Sequence, residues 1–200
     1  MAQGFTVWLT GLPASGKSAI ATHLEESLLE RGLDVERLDE GEIRTEWLPT
    51  LGFDKGEGDG ATRLVGHVCH LLSRNGVIAV AATVSPSQEI RNELRSLIGR
   101  FVEVFVNRPV EDCEKLDETG NYERARKGEL KGFTGVDAAY EAPVNPEIVL
   151  ETDKEEVEQC TNKVLRTLEL LDWIPKVAGS DYNEEEEAKI TKRLKDLGYI

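Results

Sequence analysis

The sequence predicts an α/β fold in which a mainly parallel sheet lies between two layers of helices. Two observations support this prediction. Apolar segments with strand character alternate with segments of helical periodicity up to residue 171, and such alternation forms parallel sheets with helices on both faces. In addition, a glycine-rich turn at residues 11–18 (GLPASGKS) joins the first predicted strand to the first predicted helix.

The individual elements follow from hydrophobic patterning and from the turn residues between the patterns. Short apolar runs predict five strands, at residues 5–10, 35–38, 76–85, 101–107 and 146–152. Apolar residues at helical spacing predict five helices, at residues 17–31, 61–74, 87–97, 109–116 and 154–171. The run GVIAVAATVS at 76–85 is apolar throughout, which is typical of a central strand that is buried on both faces.

Two further segments lack this alternation. Residues 117–145 are rich in glycine and charged residues, and a loop of that length within a compact domain usually has a function, such as that of a lid. Residues 176–200 predict a linker followed by an acidic helix, with Leu194 and Leu197 on one face. We therefore expect one domain over residues 1–175 and a C-terminal helix that docks on this domain or on a partner subunit.

Composition narrows the functional class. The formal net charge of −14 repels phosphate backbones and anionic membranes, so we expect neither nucleic-acid binding nor membrane binding. No apolar run reaches the length of about 18 residues that a membrane span requires, and the N-terminus lacks the basic region of a signal peptide. The three widely spaced cysteines predict reduced thiols rather than a disulfide framework or a zinc site, which favours a cytoplasmic protein.

The turn at residues 11–18 fits the phosphate-binding pattern G-x-x-x-x-G-K-[ST] without a gap. Its glycines allow successive backbone N–H groups to point towards phosphate oxygens, and the helix that follows presents its positive dipole end to the same anion. Lys17 would reach the β- and γ-phosphates of ATP, and the Ser18 hydroxyl would coordinate Mg²⁺. The predicted fold is therefore of the P-loop NTPase type, with three layers and a lid.

A charged cluster, RLDEGEIR at residues 37–44, follows the second predicted strand. The Asp39 carboxylate could accept the proton of an attacking hydroxyl or hold the metal through water, and Arg44 could bind an anionic acceptor. The same charges could equally solvate the start of a helix, with Asp39 or Glu40 as its N-cap. The residues alone leave both interpretations open.

Several longer motifs resemble the adenylyl-sulfate kinase family over residues 3–172. The matching segments are LGF (51–53), GVIAVAATVSP (76–86), FVEVFVNRPVEDCEK (101–115) and GELKGFTGVDAAYEAPVNPEIVLETD (128–153), in which the KGFTG and YEAPxNPE runs are the most specific. The resemblance implies a kinase that transfers the γ-phosphoryl group of ATP to the 3′-hydroxyl of adenylyl sulfate in sulfate assimilation. It also implies that the enzyme needs Mg²⁺ and forms homodimers.

The resemblance further assigns roles to individual residues. Asp39 matches the catalytic base and acts with Lys17, while Ser18 is the implied metal ligand. The implied ATP-binding residues are Gly11, Leu12, Pro13, Ala14, Ser15, Gly16, Lys17, Ser18, Ala19 and Arg124, and Asn121, Tyr122 and Arg126 share the lid segment of Arg124. The implied acceptor-binding residues are Asp39, Arg44, Phe53, Ser85, Lys131 and Phe133, of which the two phenylalanines would stack on the adenine.

Some positions on the acceptor side depart from the family pattern. The D-G-D-N motif of the family reads DEGE at residues 39–42, and FISPYR becomes TVSPSQ at 83–88. Gly58 and Ala61, in a stretch expected to be flexible (GEGDGA), stand where the family has an arginine and an asparagine. Three interpretations follow: an adenylyl-sulfate kinase with weakened acceptor binding, a kinase of the same fold with another hydroxyl acceptor, or a silent nucleotide-binding subunit that docks a partner.

Overall fold

The computed structural model describes residues 4–46, 55–177 and 184–200 of the chain. Their strands form one five-stranded sheet in the order β2-β3-β1-β4-β5, and every neighbouring pair runs parallel. The strands are β1 (Thr6–Thr10), β2 (Val35–Asp39), β3 (Ile78–Thr83), β4 (Phe101–Asn107) and β5 (Ile148–Glu151). The predicted parallel α/β fold is confirmed, and all five predicted strands are present.

Helices cover both faces of this sheet. The helices are α1 (Lys17–Glu30), α2 (Glu40–Glu46), α3 (Lys55–Arg74), α4 (Gln88–Ile98), α5 (Val110–Lys115), α6 (Asn121–Arg126), α7 (Val157–Leu170) and α8 (Glu184–Asp196). Helices α1 and α7 bury their apolar residues in the core on one face, and α3 and α4 bury theirs on the other. None of the helices in the described ranges combines the length and the apolar character needed to cross a bilayer.

Helix α3 begins earlier than the pattern predicts. It includes residues 56–61, so the stretch expected to be flexible forms the first turns of a helix. Ala61 and Thr62 are buried, and the Thr62 hydroxyl donates a hydrogen bond to the carbonyl of Gly58 at 3.0 Å. Packing of a long amphipathic helix therefore outweighs the low helix propensity of its glycines.

The topology brings together the carboxyl ends of the first three strands. In the parallel register Thr10 pairs with Thr83, and Asp39 pairs with Ala82 on the other side of β3. In open parallel sheets, ligands bind beyond the carboxyl ends of the strands. The strand order thus places the end of β2 close to the phosphate-binding turn that follows β1.

The segment predicted as a lid contains one short helix, α6, among turns. The ring of Tyr122 in this helix meets Phe133 edge-on, with ring centroids 4.9 Å apart, and both pack on Cys113 in a small apolar cluster. The Tyr122 hydroxyl donates a hydrogen bond to the carbonyl of Pro13 at 3.1 Å. The lid segment is therefore anchored directly on the phosphate-binding turn.

The C-terminal helix α8 packs on the domain of its own chain. Leu194 is fully buried, and Arg193 Nε donates a hydrogen bond to the carbonyl of Pro146 at 3.0 Å. The Tyr199 hydroxyl lies 2.8 Å from Oε1 of Glu147, to which it donates. Of the two expectations for this helix, docking on the domain is the one that these contacts support.

Replacing Tyr199 by phenylalanine is expected to lower the free energy of unfolding by about 1 kcal/mol, because a partly buried hydrogen bond to a carboxylate is lost. Burial, with the neighbouring Glu147, raises the pKa of Tyr199 to about 12, so the hydroxyl remains a donor at neutral pH. Urea titration measures the change. The exposed Ile200 offers a control, and Ile200→Ala is expected to stay within about 0.5 kcal/mol of the parent. Equal stability of the two variants would contradict the docking role of the hydroxyl.

Candidate active site

A cavity of about 790 Å³ lies beyond the carboxyl ends of the strands. Its wall combines the phosphate-binding turn, the starts of α2 and α3, the segment after β3 and the lid. Cavities of roughly 300–1,000 Å³ at this edge of an open parallel sheet bind small molecules and cofactors. The segments predicted to bind ATP and those predicted to bind the acceptor therefore face one shared space.

The phosphate-binding turn has the conformation that its glycines predict. A Cβ atom on Gly11 would lie 2.4 Å from the carbonyl oxygen of Val106, so a side chain does not fit at this position. Gly16, at the entry to α1, has φ at 102°, and Ala14 also lies in the left-handed region at 59°. Thr152, the residue after β5, supports the turn, because its hydroxyl donates a hydrogen bond to the carbonyl of Ser15 at 2.8 Å.

The Lys17 side chain lies within the phosphate-binding turn. Its ammonium donates hydrogen bonds to the carbonyls of Gly11 at 3.1 Å and Leu12 at 2.6 Å, and the residue is 8% exposed. Burial lowers the pKa of Lys17 to about 8, while the carboxylates of Glu40 and Asp39 act in the opposite direction. A triphosphate that binds in the turn would therefore stabilise the charged form of Lys17.

ATP binding is expected to weaken as the pH rises above about 8. Phosphate charges raise the pKa of Lys17 on binding, so the complex takes up a proton wherever the free lysine is neutral. Relative to pH 7, the Kd should be about tenfold weaker near pH 9, since only about a tenth of the free protein is then protonated. Calorimetric titrations in two buffers of different ionisation enthalpy measure both the Kd and the proton uptake. A flat Kd over this range would contradict the prediction, and Lys17→Met should abolish the dependence.

Asp39 is the last residue of β2. One of its carboxylate oxygens accepts a hydrogen bond, and the other has no partner among the described residues. Oδ1 accepts a hydrogen bond from the backbone N–H of Gly41 at 2.8 Å, which fixes the plane of the carboxylate. Oδ2 is buried and has no hydrogen-bond partner among the described residues, and its nearest cation is Nη1 of Arg37 at 4.0 Å. A buried carboxylate oxygen without a partner is costly unless a ligand uses it. The geometry suits both predictions for Asp39, proton acceptance and contact with a hydrated metal.

The potential metal ligands of the cavity do not form a cluster in the described part of the chain. Among the described residues, no group of three or more histidine, cysteine, aspartate or glutamate side chains could hold one. Ser18 and Asp39 both line the cavity. Mg²⁺ in nucleotide sites keeps several waters and is bound by one or two side chains plus the phosphates, so this sparse set fits a Mg²⁺–ATP complex.

Arg44 lines the cavity from α2, opposite the phosphate-binding turn. Its Nε donates a hydrogen bond to Oε1 of Glu40, one helical turn earlier, at 2.9 Å. Gly58 faces the same guanidinium, because a Cβ atom built on it would lie 3.8 Å from Nη2 of Arg44. Ala61, the second departure from the family pattern on α3, is buried, with 2% of its surface exposed. Arg44 is thus a cation of the cavity wall on the side predicted to bind the acceptor.

Ser85 is built into the core rather than the cavity wall. Its hydroxyl accepts a hydrogen bond from Nε1 of Trp8 at 3.1 Å and donates one to Thr10 at 2.8 Å. The residue has φ at 38°, and its carbonyl accepts a hydrogen bond from the buried Arg91 at 2.5 Å. Its neighbour Pro86 lines the cavity instead. The structure therefore places Ser85 behind the acceptor wall.

The lid residues divide into those that line the cavity and those that lie outside its wall. Phe133 is buried and lines the cavity, and Lys131 is exposed on the loop beside it. Arg124 is exposed on α6, where its Nη1 donates a hydrogen bond to Oδ1 of Asn121 at 3.2 Å. Asn121 itself lines the cavity. Phe53, the second predicted stacking residue, lies outside the described residues.

Some residues of the cavity wall carry no role in the sequence-based prediction. Glu141 lines the cavity, and its Oε2 accepts a hydrogen bond from the backbone N–H of Gln88 at 2.7 Å. Its position within the YEAPxNPE run is the feature of the sequence that could have indicated its place in the cavity wall. Asp117 and Thr119 line the cavity from the lid. These two residues belong to no motif, so only the fold of the lid reveals them.

Comparison with known proteins decides the family. The family model for adenylylsulphate kinase matches residues 3–151, about three quarters of the chain. The chain belongs to the adenylyl-sulfate kinase family. A relative from Picosynechococcus sp., named adenylyl-sulfate kinase, is 49% identical over 172 residues, which are 86% of this chain and 97% of the relative.

Solved structures agree with this membership in the adenylyl-sulfate kinase family. The APS kinase of Mycobacterium tuberculosis, solved in complex with AMPPNP and APS, is 35% identical with a TM-score of 0.79, and the match covers 84% of this chain and 99% of that one. Shikimate kinase from Aquifex aeolicus has a TM-score of 0.51 at 19% identity, covering 82% of this chain and 96% of that one. The second likeness concerns the fold alone.

Proposed function

We propose that this member of the adenylyl-sulfate kinase family transfers the γ-phosphoryl group of ATP to the 3′-hydroxyl of adenylyl sulfate, giving 3′-phosphoadenylyl sulfate. The proposal rests on one observation, which is that the phosphate-binding turn, Asp39 and Arg44 all line the same cavity. A phosphoryl donor, a proton acceptor and a cation for an anionic acceptor are thus held in one space. Family membership supplies the identity of both substrates.

On the donor side, the protein binds and orients the triphosphate. The backbone N–H groups of the turn and the N-terminus of α1 bind the phosphate oxygens. Lys17 leaves its carbonyl partners to bind the β- and γ-phosphates. Ser18 is the residue that would hold Mg²⁺, which, when bound, neutralises charge that develops on the phosphates.

On the acceptor side, the protein orients the 3′-hydroxyl and accepts its proton. As the 3′-oxygen forms a bond to the γ-phosphorus, the bond from that phosphorus to the β–γ bridging oxygen breaks and ADP leaves. The hydroxyl proton passes to Oδ2 of Asp39, while Oδ1 stays bound to the N–H of Gly41. Arg44 binds the anionic part of the acceptor, and Phe133 contacts its adenine.

The direct test is to incubate purified protein with Mg²⁺, ATP and adenylyl sulfate and to quantify ADP and the 3′-phosphorylated product by ion-exchange chromatography and mass spectrometry. Equal amounts of the two products are expected. The analogue that lacks the 3′-hydroxyl is the matched control, and it should release no ADP above the background. Absence of product at saturating acceptor, with ATP binding intact by calorimetry, would overturn the proposal. Turnover with adenosine, but not with adenylyl sulfate, would instead indicate an uncharged acceptor.

We further propose Mg²⁺ dependence, a homodimeric assembly and a cytoplasmic location. Ser18 supports the Mg²⁺ dependence, because it lines the cavity at the end of the phosphate-binding turn. The resemblance to the family supports the homodimeric assembly. The three cysteines support the cytoplasmic location, since all are buried free thiols. Activity after removal of Mg²⁺ by a chelator, sedimentation of the purified protein and fractionation of cells test the three proposals separately.

A further inference from the structure

Glu40 is a buried carboxylate in the wall of the active-site cavity. Its side chain is 10% exposed and lies at the start of α2, directly after Asp39. The family motif D-G-D-N has a glycine at this position, so the side chain is an addition relative to that pattern. A carboxylate is almost never buried to this extent without partners.

Both carboxylate oxygens of Glu40 have specific partners. Oε1 accepts a hydrogen bond from Nε of Arg44 at 2.9 Å, and Oε2 accepts one from the backbone N–H of Val84 at 2.7 Å. Val84 follows β3 and lines the cavity. Glu40 thus joins the helix that carries Arg44 to the end of the neighbouring strand.

This geometry controls the orientation of the Arg44 guanidinium. An arginine side chain has many rotamers, but its guanidinium is planar and its donors form a rigid fork. The charge-assisted hydrogen bond from Nε to Oε1 of Glu40 restrains the plane of the group relative to the sheet. Among the described residues that line the cavity, Lys17 and Arg44 are the cations, and Lys17 belongs to the phosphate-binding turn. The orientation of Arg44 therefore matters for any anionic acceptor.

We propose that Glu40 is a positioning residue for acceptor binding, which acts by holding Arg44 in the orientation that binds the anionic group of the acceptor. The inference rests on the proposed function, because it takes the role of Arg44 from there. Glu40 touches neither reacting group in this role. Its contribution belongs mainly to the KM for adenylyl sulfate, although its carboxylate also favours the charged form of Lys17.

A double-mutant cycle on Glu40 and Arg44 tests this inference. Glu40→Gln keeps an oxygen that can accept from the N–H of Val84, but it removes the charge that holds Arg44. It should raise the KM for adenylyl sulfate about tenfold and leave the KM for ATP within about twofold, since a charge-assisted hydrogen bond is lost on the acceptor side alone. Arg44→Ala should raise the same KM by more. The double variant should match Arg44→Ala, because Glu40 acts through Arg44.

Matched controls separate positioning from stability. Glu42→Gln removes a carboxylate from the same helix, where Glu42 is exposed and pairs with Arg37, and it should leave both KM values unchanged. Thermal unfolding and calorimetric ATP binding report whether each variant is folded. If Glu40→Gln leaves the KM for adenylyl sulfate unchanged, or adds its full effect on top of Arg44→Ala, the inference is overturned while the proposed function stands. If Arg44→Ala itself has no effect on that KM, Arg44 does not bind the acceptor, and both its proposed role and the inference about Glu40 are wrong.

Discussion

Lys17→Ala is expected to reduce kcat/KM for ATP by about a thousandfold, because it removes the cation that binds the β- and γ-phosphates in the transition state. No other lysine or arginine of the phosphate-binding turn can replace it, since residues 11–18 contain a single basic residue. The loss should appear in steady-state kinetics with adenylyl sulfate saturating. Calorimetry should show weakened ATP binding in the same variant.

Stability distinguishes this loss of function from a loss of fold. The folded-state pKa of Lys17, about 8, lies below its ordinary value of 10.5, so folding with the lysine charged costs free energy at neutral pH. Removing the side chain should therefore leave the free energy of unfolding unchanged or raise it. Lys154→Ala, at an exposed lysine that pairs with Glu151, is the control and should keep full activity. A Lys17→Ala protein that retains more than a tenth of the activity would contradict the assignment.

Asp39→Asn is expected to lower kcat by roughly a hundredfold to ten-thousandfold, the range of general-base contributions. The asparagine can keep the hydrogen bond from Gly41 through its oxygen, but its amide then stands at the position of Oδ2 and cannot accept a proton. Because ATP contacts the phosphate-binding turn, the Kd for ATP should stay within about threefold of the parent. Rapid-quench measurement of a single turnover isolates the chemical step.

Asp59 provides a matched control for the charge of Asp39. It also lines the cavity, from α3, so Asp59→Asn removes the same charge from the same space. The control should keep kcat within about threefold of the parent, because a general base contributes through position rather than through charge alone. Equal kcat values for the two variants would refute the assignment of Asp39 as the base.

The phosphate-binding turn was predictable in full because its geometry is local. Gly16 supplies a backbone conformation that few residues adopt, and Gly11 supplies room beside Val106. The buried strands were predictable for a similar reason, since a continuous apolar run such as that of β3 has few alternatives in an α/β protein. Helix α6 was not predicted, because six residues form fewer than two turns and packing of Tyr122 stabilises them.

The acceptor side was less predictable because it depends on contacts between distant segments. Ser85 was expected to bind the acceptor, yet its hydroxyl lies between Trp8 and Thr10, more than seventy residues away in the chain. The partners of Glu40 could not be foreseen either, since Oε2 reaches Val84, 44 residues later. The role of Phe53 stays a prediction from the motif.

A reader of the sequence can already infer a parallel α/β fold, a phosphate-binding turn and a relation to kinases that act on adenylyl sulfate. These properties reside in contiguous motifs, whose backbone requirements and residue types are visible without the rest of the chain. Three features become visible in the folded protein alone: the oxygen of Asp39 that lacks a partner among the described residues, the contact of Arg44 with Glu40, and the docking of α8 on its own domain. Such contacts depend on strand order and helix packing, which set the distances between side chains far apart in the sequence.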